Sequence, residues 1–149
     1  MELTFVKRSG KFDDLTIRRA DGTAETIACP KHGIIPHDMV HYAVEHVLAH
    51  RGFLSLVKHG AGADLTAGTI GGDSEEAIER LVEAFQAELW GGRVPAHELI
   101  ATYEHACAAR DHGIATVVPS DIAAIRERLD DLTRRWAQVA VNGALTVDF

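Results

Sequence analysis

Cysteine is scarce in this chain of 149 residues, which contains only Cys29 and Cys107. Two cysteines are too few for the disulfide framework of a small secreted domain. Residues 1–8 contain no apolar signal segment, so we expect a reduced, cytoplasmic protein. The sequence also lacks a run of about 18 to 20 apolar residues, so we expect no membrane-spanning helix.

Basic residues are in deficit as well. Lysine and arginine total 15 against 22 for aspartate and glutamate, which gives a formal charge of −7. We therefore expect neither nucleic acid nor an anionic membrane as a partner. The hydrophobic fraction of 46% and the charged fraction of 25% are typical of globular proteins. The length suits a single domain over residues 1–149.

The amino-terminal part of the chain has the pattern of a small sheet. Apolar and polar residues alternate between residues 3 and 28, and turn residues interrupt them at 9–11 and at Asp21-Gly22. An Asp-Gly pair tolerates the positive φ angles of a tight hairpin turn. The pattern therefore predicts a three-stranded antiparallel meander.

Helical spacing begins after Pro36, which can occupy the first turn of a helix. The spacing predicts helices over about 36–50, 53–57, 73–91, 95–113 and from 120 to about 139. Asp73 with Glu76 resembles a capping box, and Ser120 is predicted to cap the last helix. Residues 144–149 have the pattern of a closing strand. The expected fold is therefore α+β: the meander and the carboxy-terminal strand form a small antiparallel sheet, packed with four or five helices.

Five glycines fall between Gly60 and Gly72, a segment that indicates a surface loop or lid between the two helical halves. The residues most suited to catalysis or metal binding precede this loop. Within 22 residues lie Cys29, His32, His37, Asp38, His41, Glu45, His46 and His50.

The core of that segment reads Pro36-His37-Asp38-Met39-Val40-His41-Tyr42-Ala43-Val44-Glu45. It resembles an uncharacterised bacterial family of small proteins that carry His-Asp-Leu-x-His-Tyr-x-Val-Glu at the start of a helix after an amino-terminal sheet. The resemblance covers roughly residues 25–60, and Met39 replaces the usual leucine of that family. It implies a fold and no activity. By position, it implies a polar site made of His37, Asp38, His41, Tyr42 and Glu45.

His37 and His41 are four residues apart, on one border of the apolar face of the predicted helix. A histidine pair at this spacing can hold a divalent metal, and His-Asp-x-x-His resembles the His-Glu-x-x-His motif of zinc hydrolases. In that hypothesis His37 and His41 bind zinc or another divalent ion, and Asp38 or Glu45 handles protons. Glu45 lies about 12 Å along the helix from His37, too far to share its metal.

A third ligand must therefore come from another segment, and two sources are open. Cys29 and His32, on the turn before the helix, would complete a four-ligand zinc set. The helix that Pro95 opens could instead supply His97 or Glu104, which would then belong to the ligand-binding site with Tyr42.

Two other interpretations compete with a metal site. Border histidines commonly hydrogen-bond a carboxylate such as Asp38 or Glu45, and an acidic residue in a first helical turn needs no catalytic explanation. The broader hypothesis is a soluble protein whose polar site on this helix binds a small molecule or a metal. Alternatively, the apolar seam from Ile122 to Val139 mediates formation of a homodimer, and the histidines are structural.

Overall fold

Four antiparallel strands form the sheet of this protein. The computed structural model describes residues 1–31, 33–48, 52–63 and 72–149. The strands are β1 (Glu2–Val6), β2 (Phe12–Arg18), β3 (Ala24–Pro30) and β4 (Ala144–Asp148). Their order is β3-β2-β1-β4, so the carboxy-terminal strand pairs with the first. The predicted meander with a closing strand is confirmed.

The turn between β2 and β3 has the predicted chemistry. Gly22 has a φ of +88°, which a residue with a side chain rarely adopts. The Asp21 carboxylate accepts the N–H of Thr23 at 2.9 Å, and the Arg19 N–H donates to the carbonyl of Thr23 at 2.8 Å. These bonds fix the register of the hairpin.

The described residues cover one face of the sheet. Its apolar side chains point toward the helices, and the buried ones on the first two strands are Leu3, Phe5, Leu15 and Ile17. The opposite face carries threonines that bond across strands, Thr4 to Thr146 at 3.0 Å and Thr16 to Thr26 at 2.8 Å. This polar face accounts for the alternation in the sequence.

The described part of the chain contains five helices that pack with the sheet, within the predicted four or five. They are α1 (His37–Val47), α2 (Phe53–Lys58), α3 (Asp73–Gly91), α4 (Ala96–Ala109) and α5 (Pro119–Ala137). The central helix is α1, which packs against α2, α3, α5 and β3. Its residues 38–45 are buried. The polar side chains of Asp38, His41 and Glu45 therefore face neighbouring elements and not water.

Several helix ends differ from the predictions. The first helix ends at Val47, before the predicted residue 50, and residues 49–51 lie outside the described part of the chain. The fourth helix ends at Ala109, short of Gly113, because Asp111 adopts a φ of 56° and the His112 N–H bonds back to the carbonyl of Cys107. Asp111 therefore adopts the left-handed conformation that glycine usually adopts after a helix.

The two predicted helix caps were also wrong. Pro119 is the first residue of α5, and the Asp121 carboxylate accepts the N–H of Val118 at 3.0 Å, so Ser120 is not the cap. At α3, Glu75 accepts the N–H of Gly72 at 2.9 Å, where the sequence suggested Asp73 and Glu76. In both cases the N-cap lies one or two residues before the predicted one, at Gly72 and at Val118, so a different acid lies over the first turn.

The apolar seam of α5 packs against other elements of the same chain. Its side chains are at most 5% exposed and belong to the hydrophobic core; they are Ile122, Ile125, Leu129, Leu132 and Trp136. A second copy cannot pack on a seam that is already covered. The homodimer stays a prediction, and it requires a surface other than this one.

The predicted loop or lid between Gly60 and Gly72 is only partly described. Residues 64–71 lie outside the described ranges, as does His32. Within those ranges, no helix is long and apolar enough to cross a bilayer.

Candidate metal centre

Two of the three histidines of α1, His37 and His41, turn toward one point. His37 and His41 are separated by one helical turn, and their Nε2 atoms lie 3.1 Å apart. The rings meet edge to face with centroids 4.8 Å apart. His41 is almost fully buried at 5% side-chain exposure, whereas His37 is 20% exposed at the edge of the site.

A carboxylate from α3 completes the group. Glu79 places Oε2 at 3.0 Å from His41 Nε2 and Oε1 at 3.7 Å from His37 Nε2. The three potential ligand atoms lie within 4.8 Å of one another. Two imidazole nitrogens and one carboxylate oxygen form a known catalytic zinc set and also a common iron set. The residues present therefore fit a divalent transition metal.

Sequence reasoning missed Glu79. A signal did exist, because Glu79 and Gln86 are seven residues apart and share one border of the α3 apolar stripe. The decisive fact is that α3 packs against α1, a tertiary contact that sequence periodicity does not report.

The other ring nitrogen of each histidine also has a partner. His37 Nδ1 lies 2.9 Å from Oε1 of Gln86, and His41 Nδ1 lies 3.2 Å from Oε1 of Glu45. When the imidazole is neutral, donation through Nδ1 leaves the lone pair on Nε2, which is the tautomer that binds a metal. Carboxylate or amide partners of this kind orient metal-binding histidines and raise their basicity. Without a metal, His41 Nε2 keeps its proton and donates to Glu79.

Glu45 is fixed by a second element. Its side chain is fully buried, and its oxygens accept the N–H groups of Leu54 and Ser55 in the first turn of α2, both at 3.0 Å. Unpaired N–H groups at a helix start favour a negative charge. A Cβ at Gly52 would lie 2.5 Å from Cδ of Glu45, so glycine at this position leaves room for the carboxylate.

Two carboxylates, those of Glu45 and Glu79, lie beside His41 and favour a positive charge there. Burial disfavours protonation of His41, but the carboxylates of Glu45 and Glu79 outweigh it and raise the pKa of His41 to about 10. Burial and the neighbouring His41 lower the pKa of His37. Burial would raise the pKa of Glu79, yet the hydrogen bond from His41 leaves it below its ordinary value. In the metal-free protein the two carboxylates therefore stabilise a proton on His41, and a bound metal ion would take the place of that proton.

Cys29 and Asp38 form a separate pair. The thiol of Cys29 donates to Oδ2 of Asp38 at 2.5 Å, and Cys29 is fully buried. Burial and the adjacent Asp38 raise the pKa of Cys29 far above its ordinary value. A cysteine binds a metal as the thiolate. This environment therefore disfavours the four-ligand set of Cys29, His32, His37 and His41. In the described part of the chain, the metal-ligand group contains Glu79 instead.

The remaining predicted site residues lie elsewhere. The Tyr42 hydroxyl is 3.2 Å from Nη1 of Arg128, whose guanidinium also lies over the tyrosine ring at 5.6 Å, so Tyr42 faces α5. His97 and Glu104 are exposed on α4, which packs against α3 and α5. The structure does not bring these three side chains to the histidine pair.

Comparison with known proteins adds no relative. No family model, curated protein or solved structure matches the chain. The resemblance to the small bacterial family stays a prediction, and the function is argued from the geometry.

Proposed function

We propose that this protein binds a divalent transition-metal ion, zinc or one of similar preference, through His37 Nε2, His41 Nε2 and a carboxylate oxygen of Glu79. The observation that carries the proposal is the convergence of these three ligand atoms within 4.8 Å. Glu45 and Gln86 hold the two Nδ1 atoms, so both histidines present Nε2 to the same point.

The described part of the chain supplies three protein ligands, a number that favours a reactive centre over a closed structural one. Structural zinc sites usually have four protein ligands, whereas catalytic sites have three and keep a position for water or substrate. His37 and Glu79 are 20% and 18% exposed, so solvent reaches this side of the group. An ion held here supplies Lewis acidity and acidifies a water molecule, which is the chemistry of metal-dependent hydrolysis.

Within that chemistry, Glu45 has a positioning role. Its oxygens bond to His41 and to two N–H groups of α2, so they are occupied in holding the site together. Asp38 is bonded to Cys29. These contacts therefore disfavour the proton-transfer role that the sequence suggested for Glu45 and Asp38.

Titration of metal-free protein with cobalt(II) tests this proposal, because the visible spectrum of cobalt reports both binding and coordination number. We expect stoichiometric binding with the intense absorption of a four- or five-coordinate ion. His41→Ala and Glu79→Gln should weaken binding by at least about tenfold. His97→Ala, an exposed histidine on α4, is the matched control and should bind as the wild type does. Absence of binding, or equal binding by all variants, would overturn the assignment.

A further inference from the structure

A cleft lies away from the metal centre, where the β1–β2 turn, the segment before α1 and the end of α5 meet. Its volume is about 480 Å³, within the range of small-molecule sites. It is lined by Lys7, Arg8, Ser9, Asp13, Lys31, Gly33, Ile34, Ile35, Pro36, Trp136, Ala137 and Val141. None of the roles described above uses this cleft.

The charge of the cleft is opposite to that of the protein. Three cations line it against one acid, Asp13, although the whole chain carries a formal charge of −7. Asp13 is only 2% exposed, and it accepts the backbone N–H of Arg8 at 2.7 Å while its Oδ1 lies 3.1 Å from Nζ of Lys31. Asp13 therefore holds Lys31 and the backbone of Arg8 in place, while the Arg8 guanidinium pairs with Asp14 outside the cleft lining.

Hydrogen bonds hold the three cationic side chains of the cleft but do not use all of their N–H donors. Among the described residues, Lys7 donates to the carbonyl of Trp136 at 2.7 Å. Arg8 bonds Asp14 through Nε and Asn142 through Nη1. Lys31 also donates to the carbonyl of Arg8. An ammonium has three N–H donors and a guanidinium five, so each side chain retains donors for a further acceptor.

The remaining lining is apolar. Ile35 and Trp136 are buried and form part of the cleft wall, whereas Ile34 and Val141 are 51% and 55% exposed at its edge. Apolar walls with a few fixed polar groups are typical of sites for small organic ligands.

We propose that this cleft binds a small organic anion, with its carboxylate or phosphate group on Lys7, Arg8 and Lys31 and its apolar part against Trp136 and the isoleucines. Oxygen anions of both kinds suit lysine and arginine donors. This site is independent of the metal centre.

Chemical-shift mapping by NMR tests the proposal directly with four probes. Phenyl phosphate and benzoate carry both features, inorganic phosphate carries only the charge, and benzyl alcohol carries only the ring. We expect saturable shifts at Lys7–Ser9, Gly33–Ile35 and Trp136 with at least one of the two aromatic anions, and much weaker binding of the other two probes. Whichever aromatic anion binds more tightly identifies the acid group.

Arg8→Gln should weaken binding of the aromatic anion by about tenfold, the effect of one charge-assisted hydrogen bond. Arg18→Gln is the matched control, because Arg18 is an exposed arginine at the opposite end of β2. Shifts scattered over the surface, equal binding of benzyl alcohol or of inorganic phosphate, or equal weakening by both variants would overturn the proposal. The wild-type map decides the location even if a variant folds poorly.

Discussion

Substitution of Gly52 by alanine tests whether the support of the histidine site is as tight as the structure shows. An added Cβ would lie 2.5 Å from Cδ of Glu45 and 2.7 Å from Cγ2 of Ile78. Ordinary carbon contacts are about 3.5–4.0 Å, so the carboxylate or α2 must move by about 1 Å. Such a movement breaks the 3.0 Å bonds from Leu54 and Ser55 to Glu45.

The expected cost follows from these contacts. Overpacking costs about 1–3 kcal/mol, and a lost bond to a buried charge costs about 1.5–3 kcal/mol. Because the carboxylate can partly relax, we expect Gly52→Ala to lower the free energy of unfolding by about 2–4 kcal/mol. Urea denaturation in the presence of a chelator measures this effect without a contribution from metal.

A second measurement separates the local effect from general destabilisation. A displaced Glu45 no longer orients His41, so Gly52→Ala should also weaken metal binding by about 10–100-fold. Gly91→Ala is the control, because a Cβ there meets nothing within 4 Å in the last turn of α3. It should leave metal binding unchanged and stabilise the protein by up to about 1 kcal/mol. Equal stability and metal affinity for Gly52→Ala and wild type would refute the reasoning.

Three further predictions concern other parts of the structure. In chelator, the contribution of His41 to stability should be complete below about pH 6.5 and be lost as the pH rises toward 10, because the folded-state pKa of His41 is about 10 and the proton is bound more tightly in the folded state. Urea midpoints from about pH 6.5 upward, compared between the wild type and a His41→Gln variant that lacks this slope, check it. Asp121→Ala should lower the free energy of unfolding by about 1 kcal/mol and Ser120→Ala by less than about 0.5 kcal/mol, since Asp121 caps α5; thermal denaturation that shows the reverse order would contradict the cap. The thiols of Cys29 and Cys107 should not react with a thiol reagent until the protein unfolds, because burial raises the pKa of both; rapid labelling of the native protein would contradict this.

The sheet and the presence of the helices were predictable because their signals are local. Alternation and the Asp21-Gly22 turn define the meander, and the change of period after Pro36 defines α1. Helix caps were less predictable. Several acids and hydroxyls near Ser120 could accept a hydrogen bond from an early N–H group of the helix. Because α5 begins at Pro119, the residue that accepts the N–H of Val118 is Asp121.

The candidate site was only half predictable. The face shared by His37 and His41 follows from helical spacing alone. The third ligand does not, because Glu79 reaches the pair only through the packing of α3 on α1. Cys29 appeared suitable in the sequence because it is near the histidines along the chain. In the folded chain its strand places it against Asp38.

The central claim is that His37, His41 and Glu79 bind one metal ion, and metal content tests it most directly. The protein should be purified without an affinity tag or chelator, and its elemental composition compared with that of Glu79→Gln and of the His37→Ala/His41→Ala double variant. The account predicts close to one equivalent of zinc, iron or manganese in the wild type and a loss of most of it in both variants. Wild-type protein that contains no metal and takes up none on re-addition would contradict the account, and so would variants that retain the wild-type content.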